Sequence, residues 1–197
     1  ALTLEQQKAL EELCEGLRRG IYRAIVHVPP PSITLLRETL GRRRHFVRLK
    51  TMQVNAAKRL LRAAGLGALG RSLRTEAAWD KLVAALAFDL TLQGFVSQHR
   101  AVWRCAQEQI TALEGSLREQ QTPLQRDVDR LQTVPGVGPI VALTVLAVFS
   151  DVTRFPTAKH AASYAGLVAS TFQSGKLDRH GRITKRGDVR LRWLLVE

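Results

Sequence analysis

The residues most able to do chemistry lie late in the chain. Gln173-Ser174-Gly175-Lys176 sets a serine hydroxyl beside a glycine and a lysine, and Arg179, Arg182, Lys185, Arg186, Arg190 and Arg192 follow it. A serine hydroxyl is a weak nucleophile until a base takes its proton. Its attack on a phosphodiester builds negative charge on the phosphate oxygens, and clustered cations are the donors that stabilise such charge. Ser174 is therefore the candidate nucleophile, with Lys176, Arg179, Arg182, Lys185 and Arg186 as candidate phosphate contacts. Most serines next to glycine serve only a turn, and Ser170, Ser163 and Thr171 are weaker rivals for the role. His160 and His180 could move a proton, although a plain surface or core histidine is the more ordinary reading of both. Asp151, Asp178 and Asp188 are scattered, so no carboxylate pair for two Mg²⁺ ions is visible and no metal site is expected in this chain.

A second candidate precedes the first by about thirty-five residues. Val134-Pro135-Gly136-Val137-Gly138-Pro139 stands between two apolar, helix-like runs. A turn this tight needs dihedrals that glycine adopts without strain, and Pro139 suits the first position of the next helix. The pattern reads as a helix-hairpin-helix. Backbone N–H groups of Gly136, Val137 and Gly138, together with a helix N-terminus, would then face a phosphate. Such a contact positions nucleic acid without reading its sequence. A purely structural turn is the alternative.

Charge favours the first of these readings. The chain has 197 residues, a formal net charge of +13 and a pI of about 11.0. A field of that sign favours polyanions, nucleic acid before anionic membrane surfaces. No apolar run is long enough to span a bilayer and no signal peptide is recognisable, so a membrane partner is not expected. Cys14 and Cys105 lie far apart in helical patterns and read as reduced core residues. Aromatic residues are sparse, which argues against a base-stacking RNA-binding sheet.

The elements that must position these residues are mostly helical. Residues 2–19 carry Leu4, Leu10, Leu13 and Leu17 at near-helical spacing, with Gly20 where a C-cap would stand. Residues 21–28 read as a short strand or extended arm, stopped by Pro29-Pro30-Pro31. Ser32 can cap the next helix, whose first apolar face is Leu35, Leu36 and Leu40. Between Thr39 and Thr75 there are ten Lys or Arg and no acid. Arg42, Arg43, Arg44 and Arg48 head that run. A solvated helix face would explain most charge runs, but a run of one sign repels itself unless something negative lies opposite, so nucleic-acid contact is expected. Gly65, Gly67 and Gly70 break the helix. Residues 76–121 form a long helical stretch with an interruption expected near Gly94. Trp79, Leu82, Val83, Leu86, Leu90, Val102, Trp103, Ile110, Leu113 and Leu117 make one apolar stripe along it, as in an antiparallel helix pair or coiled coil. Residues 157–165 read as a short helix ended by Gly166, 167–184 as a loop or short hairpin, and 188–196 as a last helix. The pattern is still running at Glu197, so the chain reads as a fragment or trimmed copy.

Several of these motifs, in order and spacing, resemble one family. They are the hexapeptide, Arg154-Phe155-Pro156-Thr157-Ala158-Lys159, Tyr164-Ala165-Gly166-Leu167-Val168, Gln173-Ser174-Gly175-Lys176, Gly181-Arg182-Ile183-Thr184-Lys185-Arg186-Gly187 and Leu191-Arg192-Trp193-Leu194-Leu195. The chain is similar to the carboxy-terminal part of insertion-sequence transposases related to the Piv invertase, the IS110/IS116 group. Val26-His27-Val28-Pro29, the arginine-rich helix and Asn55 resemble that family's middle region. The resemblance implies a RuvC-like amino-terminal domain whose DEDD carboxylates hold Mg²⁺, then a helical linker and a serine-bearing domain. Ser174 matches the serine that links covalently to DNA. It further implies a structured guide RNA, homo-oligomers acting on two DNA partners, and a cytoplasmic, nucleoid-associated bacterial protein. Most of the RuvC-like domain is expected to be absent, because the family's last two aspartates align near Thr3 and Gln6. The chain alone is then expected to be inactive, with no cofactor of its own.

The sequence thus predicts a mainly α protein. Residues 1–31 are the exit from an amino-terminal domain, 32–122 a basic helical coiled-coil linker, and 123–197 a small helical domain with a helix-hairpin-helix and an irregular basic loop. The function expected is DNA strand cleavage and rejoining through Ser174 in the full-length transposase. A helix-hairpin-helix module that binds DNA or RNA without chemistry is the alternative, and a coiled-coil dimerisation unit is a third.

Overall fold

The computed structural model describes residues 3–21, 27–174 and 177–196, with the backbone alone at Phe172, Ser174, Leu177 and Asp178. Residues 1–30 and 31–197 form two compact units. The first consists of α1 (Leu4–Arg18), whose start is a capping box: the Thr3 hydroxyl accepts from the Gln6 amide, and the Gln6 side chain accepts from the Thr3 amide at 3.0 Å. Glu15 binds Arg18 and Arg19, and Gly20, at φ +65°, ends the helix. Leu4, Leu10, Leu13 and Leu17 are exposed. Cys14 and Cys105 are exposed free thiols, which corrects the expectation of core residues. Their helical surroundings misled because a helix has a wet face as well as a dry one. The strand or arm expected over residues 21–28 falls largely outside the described residues.

The second unit opens with α2 (Pro31–Ala63). Pro31 begins the helix itself, where its missing N–H is harmless, so Ser32 sits inside the first turn and not at the cap. The long partner is α4 (Leu90–Gln121), running antiparallel. Gln120 donates to Thr39, Arg43 pairs with Glu114 at 2.7 Å, Lys50 donates to Gln107 at 2.6 Å, and Gln53 meets His99 at 2.8 Å. Partner numbers fall on one helix as they rise on the other, so these polar pairs record the register. The break in 76–121 comes at Leu86–Asp89, not near Gly94, separating α4 from α3 (Glu76–Ala85). Asp89 caps α4 through the Leu92 amide at 2.9 Å, and Gly94 continues the helix. Around this corner pack Ala57, Leu61, Leu73, Trp79, Leu82, Leu86, Val96 and Trp103. The stripe read as continuous is therefore divided: Leu90 and Val102 are exposed, since adjacent helical residues such as Val102 and the buried Trp103 lie about 100° apart around the axis.

A 3-10 turn (Thr122–Leu124) leads to α5 (Gln125–Gln132) and then α6 (Pro139–Phe149). One cluster draws Leu36 and Leu40 from α2, Leu117 from α4, Val128 from α5 and Ala142, Leu143 and Ala147 from α6. Beyond it come α7 (Ala158–Tyr164), the antiparallel strands β1 (Ala169–Ser174) and β2 (Leu177–Ile183), and α8 (Val189–Val196). Val148, Ala165 and Leu191 bind the end of α6 to α7 and α8. The fold is mainly α, with a single two-stranded sheet among the described residues.

Candidate nucleic-acid interface

The hexapeptide folds as its residues require. Pro135 and Gly136 occupy the centre of a turn closed by the Val137 amide donating to the Val134 carbonyl at 3.1 Å. Gly136 has φ +88°, the conformation that a Pro-Gly type II turn demands at its third position. Gly138 (φ −84°, ψ 173°) is the N-cap of α6 and supplies no side-chain cap, and Pro139 follows at the start of the helix. The amide of Val137 is thus already engaged within the turn. Its side chain packs toward the cluster around Val128 instead. Gly136 and Gly138 lie open, with nothing within 4 Å of where a Cβ would stand.

The other end of α6 is closed by two arginines. Arg37 donates to the carbonyls of Ala147 (2.6 Å) and Val148 (3.2 Å), and Arg154 to that of Phe149 (3.2 Å). Helix C-termini leave carbonyls unpaired and partly negative, and guanidinium groups satisfy both needs. Arg154 is also stacked on Phe155 and Tyr164, its carbon 4.4 and 4.5 Å from the ring centroids. With its negative end neutralised, α6 presents its uncapped positive end beside the exposed turn. Arg37 escaped the sequence reading because it precedes the one-signed run. Its spacing three before Leu40, within an apolar face, was the available signal.

The basic hairpin is anchored by backbone contacts. Gly166 (φ +73°) and Gly187 (φ +101°) interlock: a Cβ on Gly166 would lie 1.7 Å from the Arg186 carbonyl oxygen, and one on Gly187 2.1 Å from that of Tyr164. The Thr184 amide donates to the Val168 carbonyl at 3.0 Å. Lys185 sits at φ +55° without being glycine, a conformation the neighbouring contacts impose. Asp188 then caps α8, accepting from the amides of Arg190 (2.7 Å) and Leu191 (3.0 Å). Burial pushes its carboxyl up, but the Arg190 guanidinium and those two amides outweigh it and hold the pKa below the usual value.

Ser174 is the last residue of β1, opposite Leu177 in the register; Lys176 lies outside the described residues. Arg179, opposite Phe172, is exposed, as are Arg182, Lys185 and Arg186. Ser170 donates its hydroxyl to the Arg182 carbonyl at 3.1 Å. The Thr157 hydroxyl and His160 Nδ1 are 2.8 Å apart, and His180 lies in β2 opposite Thr171. The four arginines of α2 divide: Arg42, Arg44 and Arg48 face solvent, whereas Arg43 is half-buried against Glu114.

The two candidate sites are not adjacent. The hexapeptide precedes α6, while Ala165 and Leu167, from which β1 departs, pack at its far end around Val148. At about 1.5 Å per residue, α6 separates the turn from the base of the hairpin by roughly 16 Å. The turn and the base of the hairpin therefore do not form one site. Among the described residues, no three His, Cys, Asp or Glu side chains are grouped to hold a metal ion, and no helix is long and apolar enough to cross a membrane.

Residues 128–197 match the Transposase IS116/IS110/IS902 family. The chain is 27% identical over 160 residues to the transposase for insertion sequence element IS1111A of Coxiella burnetii, covering 78% of this chain and 43% of that protein. It is 29% identical over 193 residues to a Pseudomonas aeruginosa protein named "Probable family 20 transposase", covering 94% of this chain and 55% of the relative. An insertion element IS110 protein of Streptomyces coelicolor is 47% identical over 60 residues, 30% of this chain and 15% of its own length. The chain spans about half the length of the curated relatives it matches over most of its own.

Proposed function

Proceeding from a chain related to IS116/IS110/IS902 transposases through residues 128–197, we propose that it is the nucleic-acid-gripping and serine-bearing part of a DNA transposase. The observation that carries this is the placement of Ser174 at the end of β1, in a hairpin whose exposed cations Arg179, Arg182, Lys185 and Arg186 lie on a backbone fixed by Gly166 and Gly187. In this reading the Ser174 hydroxyl gives its proton to a base and attacks a backbone phosphorus. A serine–phosphate bond forms as the bond to the departing strand oxygen breaks, and that oxygen takes up a proton. A strand hydroxyl reverses the step to rejoin DNA. Arg179, two ladder positions from Ser174, holds the phosphate on which charge develops, while Arg182, Lys185 and Arg186 hold the backbone near the base of the hairpin. Gly136 and Gly138, with the open N-terminus of α6, hold a second phosphate, across the length of α6 from the base of the hairpin.

The partners follow from the same reading. DNA is the substrate, and the exposed face Arg42, Arg44 and Arg48 contacts a structured guide RNA or DNA in a homo-oligomer. The Mg²⁺ expected from the family belongs to carboxylates outside this chain. Thr3 and Gln6, near which the family's last two aspartates would fall, are committed to capping α1.

Ser174→Ala in the full-length transposase tests the serine. Recombination should fall below detection while affinity for DNA stays within about twofold of wild type. Surviving recombination would overturn the serine assignment. The nucleic-acid reading is tested separately: log Kd against log salt should be steep, and Arg182→Gln with Lys185→Gln should lower the slope by about one for each charge removed.

A further inference from the structure

A groove between α2, α6 and α8 adjoins the Arg42, Arg44 and Arg48 face but has no role of its own in the proposed function. It encloses about 410 Å³, and its floor is aliphatic, from Leu40 of α2 and Ile140 and Ala147 of α6. Its rim carries Arg44, Arg48 and the indole of Trp193. No acidic side chain lines it among the described residues.

The groove is preformed. α8 is fixed by the Asp188 cap and by Leu191, which is fully buried between α6 and α7. Arg190 lies across α2 where Gly41 leaves room, its Nη1 only 3.1 Å from where a Cβ would stand. These contacts fix the helix that carries Trp193, which lines the groove and remains 54% exposed. The other arginines at the border are engaged: Arg37 on the α6 carbonyls, Arg43 on Glu114 and Arg190 on Asp188. Arg44 and Arg48, one helical turn apart on α2, pair with no described residue.

An apolar groove lined by an indole and by two exposed, unpaired guanidinium groups matches the chemistry of a nucleotide, an aromatic ring joined to phosphate. The volume is that of a small-ligand site. It is not that of a trough for a second helix, whose diameter with side chains is about 10–12 Å. We propose that this groove receives a single unpaired nucleotide extruded from bound nucleic acid, its base against Trp193 and its flanking phosphates on Arg44 and Arg48. The proposal rests on the nucleic-acid-binding reading. The Thr144 hydroxyl in the lining already donates to the Ile140 carbonyl at 2.7 Å, and stacking on the indole accepts any of the four bases.

The test compares a fully paired DNA duplex with the same duplex carrying one bulged 2-aminopurine, both binding the full chain at one salt concentration. The bulged duplex should bind about tenfold more tightly, the scale of one stacked base. Trp193→Ala should remove that margin and leave affinity for the paired duplex unchanged; Trp193→Phe should keep most of it. Val47→Phe, which narrows the groove from α2, should remove it too and serves if the alanine variant melts early. No margin, or a margin that survives both Trp193→Ala and Val47→Phe, would overturn the proposal while paired-duplex binding keeps the broader reading intact. An apolar segment of a protein partner in the groove would show as that first outcome, with Trp193→Ala altering self-association alone. Salt-independent binding of both duplexes would instead remove the nucleic-acid reading and this inference with it.

Discussion

The α2–α4 region and the end of the chain built on α6 are held together by different means. Where α3 turns onto α2 and α4, stability comes from bulk. Trp79 and Trp103 are buried with ring centroids 5.8 Å apart, and leucines from three helices close around them. Past α6 the buried cluster is small, and order comes from backbone fit, with Gly166 against Arg186, Gly187 against Tyr164 and Asp188 capping α8. A core made by burial leaves its surface chemistry free to vary. A backbone interlock instead fixes where the chain around Lys185 and Arg186 stands, as the proposed phosphate contact needs.

The largest effect that would break this contrast is at Trp79. Trp79→Ala should lower stability by about 3–5 kcal/mol in denaturant titration, through lost burial and the cavity left behind. A loss under about 1 kcal/mol would mean that burial does not dominate this region. Gly166→Ala should lower stability by about 3 kcal/mol, since the positive φ and the Arg186 carbonyl both oppose a Cβ. Hydrogen exchange should locate the loss in residues 158–196, with α2 and α4 protected as before. Loss spread evenly over the chain would remove the distinction between the two regions.

Asp188 sharpens the comparison further. Its carboxyl is held below the usual value in the folded protein, so the unfolded chain binds the proton more tightly. The stability it supplies is complete well above the unfolded value of about 3.9 and is lost as pH falls through that value to the lower folded one. Asp188→Asn should flatten the pH dependence of stability in that acid range and cost about 1 kcal/mol or less near neutrality, since Asn still caps. An unchanged pH profile would show that the cap is not ionised in the fold. The smallest effect has the opposite sign. Gly94→Ala, in the interior of α4 with nothing within 4 Å, should stabilise the protein by about 0.5–1 kcal/mol.

Local signals were legible where short-range physics decides the outcome. The turn at Pro135-Gly136, the proline opening α6, the glycine ending α7 and the helical class of the chain each follow from dihedral preferences or from periodicity over a few residues. The division of Arg43 from Arg42, Arg44 and Arg48 was not legible, because it depends on Glu114, which lies distant in the chain but one helix away. Nor was the break before Asp89: Gly94 is the weaker helix former, yet the capping aspartate and the corner packed around Trp79 outweigh a single glycine. Cys14 and Cys105 were misplaced because periodicity fixes a helical face only to within a residue or so.

By itself, then, the sequence determined the charge, the helical class, the two glycine-dependent turns and the residue types able to meet a phosphate. Those are properties of composition and of neighbours along the chain. Tertiary structure alone decided that the hexapeptide and the serine hairpin stand at opposite ends of α6, that Arg37 and Arg154 close its C-terminus, and that Trp193 and arginines of α2 line one groove. Each of these joins residues remote in sequence, and their meeting is set by which helix faces bury the most apolar surface.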